Sequence, residues 1–463
     1  MMVSAMLLAR VRTLEENGTY SQLMLIINLV ASIFMLGLPN SINYFLAKAE
    51  TKEDQNYFLS VYYTLSTLLS LVLGVTLVLL IPGWEAYFKN PGIGQYLFFL
   101  LLFPWARVVA SSVENVLIIL KKTTVLMVYR ILNCVLLLGT ILLIWLTGGS
   151  FKMYMILYTV VEGAFAVAVY VLAAHYTGRL RFCLDKQVIK ALFVFSIPLG
   201  LSSIVGTLSI ELDKLMIGRI MTTEELAIYT NASKELPVNL IATSITAVLM
   251  PQVVRLLQKE KREEAVALWR SATSISFAII SFIALACVAF APEVITVLYS
   301  EKYLPGTGVF MVYSLVLLTR CTYWGMMLNA TGNTKFIFYS SLGSLGLNVV
   351  LNFICFRLFG FVGPAIATFT SIVVIAIIQL VYTAKKVHIP VERLFPWKSC
   401  GCCLLLNGIL GAVCYFVKEL LANGLGVNAV LAAIIMGVVW FILYGGLTFK
   451  FIKRNWIFLN KAG

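Results

Sequence analysis

Four basic side chains lie inside long apolar stretches of the chain: Arg107, Arg130, Lys234 and Arg320. A charge at the centre of a bilayer costs roughly 2.5–3.5 kcal/mol even on insertion scales, so such residues usually face a partner or a water-filled cavity. Arginine binds phosphate oxygens through two parallel N–H donors. With Arg107 in the first half of the chain and Arg320 in the second, the pattern indicates an anion held between two halves.

Arg107 begins a polar stripe on one predicted helix. Ser111 and Glu114 follow it at spacings that place all three on one face. Arg107 and Glu114 are about 10 Å apart along the axis, at 1.5 Å per residue. That distance is too long for a direct pair but suits two residues on one cavity wall. The alternative is that Arg107 and Arg320 are both structural, each bonded to carboxylates or helix-end carbonyls, with Glu114 as a candidate partner of Arg107 on the same helix stripe or across the cavity.

Other charges in or beside apolar stretches leave two interpretations open. Lys234 and Glu235 lie one turn before Pro237. They either neutralise each other, or Lys234 faces the cavity and binds substrate. Glu162 is a lone acid, and it is either a proton or cation site or the partner of a nearby basic residue.

A further charged segment ends the apolar stretch before residue 220. Glu211, Asp213 and Lys214 lie there, Arg219 follows, and Arg10 is its counterpart near the start of the chain. We assign Asp213, Arg219 and Arg10 to the substrate site as a gate or outer rim of the cavity. The alternative is a set of solvated helix ends.

The elements that position these residues are membrane helices. The chain is 60% hydrophobic and 12% charged, against about 45–50% and about 25% in soluble domains. About 20 apolar residues span a bilayer as a helix, and we count thirteen such spans. They are Tyr20–Ala47, Tyr57–Ile81, Ile93–Leu120, Val125–Thr147, Phe151–His175, Val188–Leu208, Leu226–Leu257, Ala272–Leu298, Gly308–Leu328, Phe336–Leu358, Val362–Ala384, Gly401–Val417 and Val427–Phe449.

The chain also repeats itself. An Arg, a Thr, a Glu-Glu pair and a Tyr within residues 10–20 recur within residues 219–229 at one offset (219 − 10 = 209). Pro39 corresponds to Pro251, and Arg107 to Arg320, at slightly larger offsets. A period this long exceeds that of any solenoid. It is typical of secondary transporters built from two related halves around a central site.

The repeat predicts the domain organisation. Residues 1–184 form an N-terminal lobe, residues 185–390 a C-terminal lobe, and residues 391–463 two further transmembrane helices with a cytoplasmic tail. The second lobe opens with Val188–Leu208, whereas the first has only Met1–Ala9 in that place. We therefore expect a truncated first helix, or a true start upstream.

Composition excludes several function classes. The net charge of +14 lies in short loops rather than in one basic patch with interleaved aromatic residues, so no nucleic-acid partner is expected. The chain contains no phosphate-binding Gly-x-x-x-x-Gly-Lys-Ser/Thr loop. The only cysteine cluster, residues 400–403, has no second ligand pair, so we expect no metal site. With only two histidines and no cofactor site, we expect no enzyme.

The basic loops also predict an orientation. One set of alternate loops, which includes Lys122, Lys261, Lys386 and Lys461, holds most of the Lys and Arg residues. The other set includes Lys152 and Lys302. The positive-inside rule places the first set, with the C-terminus, in the cytoplasm.

Several motifs resemble a known family. Leu36-Gly37-Leu38-Pro39, the segment from Asp213 to Arg219 and the later Tyr229, Lys234, Pro237 and Pro251 resemble polysaccharide flippases of the multidrug/oligosaccharidyl-lipid/polysaccharide exporter superfamily. The resemblance covers essentially the whole chain. It matches Asp213 to the acid of the family's seventh helix and Lys234 to a basic position in its eighth. Asn43 stands where relatives often have a basic residue.

The resemblance implies an all-α polytopic fold like that of MATE transporters. Two pseudo-symmetric six-helix lobes would enclose a V-shaped cationic cavity, with a C-terminal helix pair appended. The implied substrate is an undecaprenyl-diphosphate-linked oligosaccharide, flipped across a bacterial inner membrane by alternating access. Membrane lipids, a polysaccharide polymerase and glycosyltransferases are the implied partners. Alternatives are a cation-coupled drug exporter of the same superfamily and a membrane glycosyltransferase or polymerase.

Overall fold

A computed structural model describes residues 2–462, apart from the side chains of residues 2, 199, 239 and 460–462. The side chain of Lys461 therefore lies outside the described residues. The chain is 87% helical, and its described residues contain no β-strand. In lipid, a helix satisfies its own backbone hydrogen bonds, which accounts for an all-helical chain of this hydropathy.

The chain divides into two compact units, Met1–Ile228 and Tyr229–Gly463. The division falls inside one helix, α10. Helices that begin in the first unit are α1 Met2–Val11, α2 Leu14–Met35, α3 Leu38–Lys48, α4 Lys52–Leu79, α5 Ile81–Phe88, α6 Leu97–Ile119, α7 Thr123–Leu146, α8 Phe151–Thr177, α9 Lys186–Ile220 and α10 Thr223–Ala232.

The second unit continues from the end of α10. Its helices are α11 Asn239–Gln258, α12 Arg262–Ala289, α13 Ala291–Leu298, α14 Thr307–Thr319, α15 Met326–Ala330, α16 Thr334–Phe359, α17 Gly363–Val387, α18 Val391–Leu394, α19 Trp397–Gly424 and α20 Ala429–Ala462. Short 3-10 turns precede α6 and α14 in the two units.

Ten helical stretches of the described chain are long and apolar enough to cross a membrane, or up to eleven if the two parts of the bent α9 form one span. Thirteen are predicted from the sequence, and two regions account for the difference. α16 and α17 form one apolar stretch over residues 334–387, although the sequence predicts two spans. The predicted span Gly308–Leu328 is broken into α14, with 13 residues, and the short α15.

The repeated sequence forms the same local structure twice. Thr13 and Glu16 each accept a hydrogen bond from the other's backbone N–H, both at 3.2 Å. Thr222 and Glu225 make the same pair of bonds at 2.8 and 3.2 Å. This reciprocal capping box satisfies N–H groups that a helix leaves unpaired at its start. The recurring Thr and Glu therefore mark the starts of α2 and α10.

Later elements also match in length. α4 and α12 each contain 28 residues, and α5 and α13 each contain 8. The next pair differs, because α6 is continuous over 23 residues whereas α14 ends after 13. Arg107 lies within α6, and Arg320 is the residue at which α14 ends. The two arginines thus occupy related elements with different backbones.

A break between α2 and α3 brings two glycines against neighbouring backbone. Leu36 and Gly37 adopt left-handed φ values of 41° and 74°. A Cβ on Gly200 of α9 would overlap the carbonyl group of Leu36, and one on Gly37 would lie 2.7 Å from the nitrogen of Gly200. Only glycine allows this approach, so α9 packs directly on the break.

The link between α8 and α9 lies along α4. Ser60 and Thr64 accept hydrogen bonds from the backbone N–H groups of Arg181 and Cys183 at 3.1 and 3.2 Å. Ser60 and Thr64 are four residues apart on a helix, which corresponds to about 6 Å along its axis. Arg181 and Cys183 are two residues apart in extended chain, which corresponds to about 6.6 Å. The two spacings are nearly equal, so both hydrogen bonds can form together. This contact and the packing of α9 on α2 and α3 extend the first compact unit beyond residue 184. The lobe boundary at 184/185, which rests on the repeat, stays a prediction.

The C-terminal helix pair is fastened to α12 by buried polar groups. Asn407 of α19 donates to Ser281 of α12 at 3.0 Å and accepts from the Trp440 indole of α20 at 3.2 Å. Lys418 forms an ion pair with Glu293 of α13 at 2.7 Å, with side chains only 5% and 10% exposed. The pair α19–α20 is therefore an integral part of the second unit.

Candidate functional site

Arg107 lies half-buried in the middle of α6 in the first unit. Its one hydrogen-bond contact in the described chain is long and weak, from Nη1 to the Met24 sulfur at 4.0 Å. None of the ion pairs among the described residues includes Arg107. A guanidinium has five N–H donors in a fixed fork. Most of the donors on Arg107 are therefore available to an anion.

Residues of three helices form the electrostatic surroundings of Arg107. Tyr20 of α2 interacts with Arg107 and Glu162, and its ring stands edge-on to Tyr158 at 6.4 Å. Glu162 of α8 is buried, with 8% of its surface exposed. Its strongest charged neighbour is Arg107. We call Arg107, Tyr20, Met24 and Glu162 the Arg107 cluster.

Glu114 has a different partner from the one that sequence reasoning considered. Its carboxylate accepts a hydrogen bond from Arg130 of α7 at 2.9 Å, and the side chains are 56% and 49% exposed. The stripe from Arg107 through Ser111 to Glu114 thus ends in an exposed ion pair. Glu114 does not neutralise Arg107, because its charge is matched by Arg130.

Arg320 in the second unit is already bound by a carboxylate. Its Nε and Nη2 donate to the two oxygens of Glu235 at 3.1 and 2.7 Å. The side chains are 38% and 24% exposed. This is a bidentate Arg–carboxylate pair, the geometry in which the fork is used most fully. It ties the end of α14 to the break between α10 and α11.

Lys234 lies in the same break and is half-buried. Its Nζ donates to the Asn231 side-chain oxygen at 2.9 Å. Tyr303 also interacts with Asn231, and burial raises the pKa of this phenol above its usual range. Lys234 and Glu235 therefore do not simply neutralise each other, since Glu235 binds Arg320. We call Lys234, Glu235 and Arg320 the Arg320 cluster.

Asp213 is buried on α9, where its carboxylate accepts from the backbone N–H of Lys214 at 2.8 Å. Close by, Glu211 accepts from the Lys214 ammonium at 2.9 Å and from the Asn28 amide of α2 at 3.0 Å. Glu211 therefore joins α2 and α9 inside the first unit, whereas the hydrogen bond from the Lys214 N–H to Asp213 is local to α9.

Arg219 and Arg10 occupy exposed helix ends. Arg219 donates to the backbone carbonyls of Ala86 and Tyr87 at 3.5 and 3.3 Å, and its guanidinium stands 5.7 Å from the Tyr87 ring. It therefore binds the C-terminal end of α5, as a cation at a helix terminus should. Arg10 lies in the last turn of α1. The contacts of Arg219 agree better with the alternative of a solvated helix end than with a position at the rim of the substrate site.

Sequence reasoning missed three residues that decide these clusters. The sequence predicts Glu235 only as a possible partner of Lys234 and Arg130 only as a charge within a span, and it assigns no role to Met24. Glu235 and Arg320 are 85 residues apart, and their pairing depends on two helix breaks. The charged dipeptide just before Pro237 was the available signal for one of those breaks.

The cysteines of residues 400–403 differ in exposure. Cys400 and Cys403 are buried and Cys402 is exposed. No group of three or more His, Cys, Asp or Glu side chains that suits a metal ion occurs among the described residues. The buried thiols pack with the apolar core of the second unit.

A profile of a family described as "Polysaccharide biosynthesis protein" matches residues 7–307, which is more than half of the chain. The chain belongs to this family. It is 22% identical over 238 residues to the capsular polysaccharide biosynthesis protein CapF of Staphylococcus aureus. It is also 22% identical over 245 residues to the probable low-salt glycan biosynthesis flippase Agl15 of Haloferax volcanii. These matches cover 50% and 52% of the chain, and 60% and 50% of the relatives.

Solved structures agree with the predicted fold. The lipid II flippase MurJ in an inward closed conformation matches with a TM-score of 0.71 and 15% identity, over 98% of this chain and 97% of MurJ. An inward-facing multidrug resistance MATE family transporter of the MOP superfamily matches with a TM-score of 0.65 and 16% identity, over 84% and 93%. The prediction of an all-α, MATE-like membrane fold is confirmed. At these identities the solved structures show the fold, and the matched family is that of polysaccharide biosynthesis proteins.

Proposed function

We propose that this chain flips a polyprenyl-diphosphate-linked oligosaccharide of the undecaprenyl type from the cytoplasmic to the outer leaflet. The product would feed O-antigen, capsule or exopolysaccharide assembly. The observation that carries the proposal is Arg107, a half-buried guanidinium in a membrane helix with no ion-pair partner in the described chain. A diphosphate supplies the oxygen acceptors and negative charge that this group lacks.

Transport of this kind breaks no covalent bond, so the residues need only bind and release. The two repeats would alternate between inward and outward access. The Arg107 fork would hold the diphosphate, and the polyprenyl tail would remain in the bilayer. Lys234 would add a second positive charge, while Arg320 would hold its own helix break through Glu235.

The proposed location is a bacterial inner membrane with a cytoplasmic C-terminus. The Lys-rich and Arg-rich loops support this orientation through the positive-inside rule. A polysaccharide polymerase and glycosyltransferases are the proposed partners, because one must use the flipped lipid and the others must build it.

Cation-coupled drug export is the second candidate function, and one observation favours it. Glu162 is a buried carboxylate in the first unit with no ion-pair partner within 4.0 Å in the described chain, and an organic cation would be attracted to it. The neighbouring Arg107 opposes that attraction. The diphosphate therefore remains the first proposal.

Flipping by the purified protein in proteoliposomes tests both functions. A fluorescent polyprenyl-diphosphate oligosaccharide is placed in both leaflets, and a membrane-impermeant quencher destroys the outer signal. The proposal predicts that the inner pool becomes quenchable only when the protein is present. Transport of an ethidium-type cation with no movement of the labelled lipid would support the exporter instead.

A further inference from the structure

Glu162 is a buried carboxylate whose charge is balanced without direct contact. It is 8% exposed, the same as Glu293 in the second unit. Glu293, however, has Lys418 at 2.7 Å. No ion pair within 4.0 Å includes Glu162 among the described residues. A buried acid without an ion-pair partner is costly in a membrane protein, so its presence calls for a role.

The neighbours of Glu162 lie on its own helix and on α2, α6 and α7. Its charged neighbours are Arg107 of α6 and Arg130 of α7, and the Asn133 amide of α7 hydrogen-bonds to it. Tyr20 of α2, Tyr129 of α7, and Tyr154 and Tyr158 of its own helix also lie within its electrostatic reach. Of the two guanidinium groups, Arg130 is already bonded to Glu114 at 2.9 Å. Arg107 is the one with no carboxylate bonded to it among the described residues.

In the first unit, the carboxylate that balances the charge of Arg107 is not the group that bonds to its N–H donors. Glu162 offsets the positive charge of Arg107 from a distance greater than that of an ion pair, and it leaves the guanidinium donors open. In the second unit, Glu235 offsets the charge of Arg320 and fills its donors at the same time. Only the first arrangement allows an external anion to bind without first breaking an ion pair.

We propose that Glu162 is a positioning residue that limits how tightly Arg107 holds the substrate anion. The inference rests on the proposed function and deepens it. Once a diphosphate binds Arg107, its negative charges and the Glu162 carboxylate repel each other. Two unit charges about 8–10 Å apart, at an effective dielectric constant of about 20, change an affinity roughly ten- to thirtyfold. That repulsion weakens binding and favours release of the substrate.

The test compares binding with turnover for Glu162→Gln, which removes the charge and keeps the shape. The purified full-length protein is titrated with a short-chain polyprenyl diphosphate, and flipping is measured in proteoliposomes. We expect the dissociation constant of Glu162→Gln to fall about tenfold while its maximal flipping rate also falls. Glu162→Asp, which keeps the charge, should restore both values towards wild type.

Two controls separate this role from a general effect of lost charge. Glu264→Gln removes a carboxylate from the exposed Lys261–Glu264 pair and should change neither value. In an Arg107→Ala background, Glu162→Gln should no longer tighten binding, because the group it opposes is gone.

The outcomes are distinct. Unchanged or weaker diphosphate binding by a folded Glu162→Gln protein, with wild-type binding intact, would overturn this inference and leave the proposed function standing. Failure of the wild-type protein to bind any polyprenyl diphosphate would overturn both. Tighter binding that persists without Arg107 would show that Glu162 acts on another group, and it too would overturn the inference.

Discussion

Arg107 and Arg320 occupy related elements of the two repeats, yet only Arg320 has a carboxylate on its fork. Arg107 lies within a continuous helix, with a sulfur 4.0 Å away as its one hydrogen-bond contact in the described chain. Arg320 ends a helix and donates twice to Glu235. The repeat segment that contains Glu235 has no acid in its first copy, where residues 23–26 are Leu, Met, Leu and Ile.

This difference shows what duplication preserved and what it did not. Capping boxes and helix lengths recur in both copies, because they satisfy backbone groups and span the same bilayer. The charges around the two arginines do not recur. We therefore propose that Arg107 binds the anion and that Arg320 is a structural tie, whereas the sequence predicts that both arginines bind substrate.

The largest effect is expected from Arg107→Ala. It removes charge-assisted hydrogen bonds to the diphosphate, and flipping in proteoliposomes should fall roughly ten- to hundredfold. Membrane abundance should stay near wild type, because no ion pair is broken. Arg107→Lys should restore only part of the activity, since a point charge replaces a bidentate fork. A large fall in abundance with normal specific flipping would instead make Arg107 structural.

Lys418→Ala provides the benchmark for a purely structural pair. It leaves Glu293 charged and buried, and such a change costs about 3–5 kcal/mol of stability. Detergent thermal-stability assays and membrane abundance should both report the loss. Lys418→Ala/Glu293→Ala should recover much of the stability. Wild-type abundance of the single variant would show that this pair contributes little to the fold.

Arg320→Ala should lower stability as Lys418→Ala does, but by a smaller amount. Because the pair is partly exposed, the expected loss of stability is about 1–2 kcal/mol. Abundance should fall, and Arg320→Ala/Glu235→Ala should restore it, with flipping per folded molecule close to wild type. Normal abundance together with abolished flipping would return Arg320 to the substrate site and break the comparison.

The smallest effect is expected for the exposed Glu114–Arg130 pair. Exposed pairs contribute about 0.2–1 kcal/mol, so Glu114→Gln should change abundance little. Flipping should also stay within a few-fold of wild type, because Glu114 is not the partner of Arg107. A collapse of flipping with normal abundance would restore Glu114 to the cavity wall predicted from the sequence.

The sequence predicted features that depend on local pattern. Hydropathy located most of the helices, and the recurring Thr and Glu-Glu located the starts of α2 and α10. The missed features depend on how distant segments meet. Glu114 with Arg130, Glu235 with Arg320 and Glu293 with Lys418 are separated by 16, 85 and 125 residues. Each pairing requires the helix packing or helix breaks that no hydropathy pattern specifies.

Helix breaks are the second limit of the sequence. The stretch Tyr20–Ala47 is apolar throughout but breaks at Leu36 and Gly37, and Gly308–Leu328 breaks after Thr319. In the first case Pro39 in the first turn of α3 cannot continue the helix from α2, and Gly37 packs closely against Gly200. Counting apolar residues along the sequence does not detect such tertiary contacts. It therefore predicts one span where the structure has two shorter helices.

The most direct test of Arg107 as the anion site is diphosphate binding by two variants, one that lacks Arg107 and one that lacks the Arg320–Glu235 pair. A short-chain polyprenyl diphosphate is titrated against the wild-type protein, Arg107→Ala and Arg320→Ala/Glu235→Ala, each shown to be folded. We expect Arg107→Ala to weaken binding at least about tenfold, whereas the double variant should bind within a few-fold of wild type. Retained binding by Arg107→Ala together with lost binding by the double variant would contradict the assignment of the anion site to Arg107.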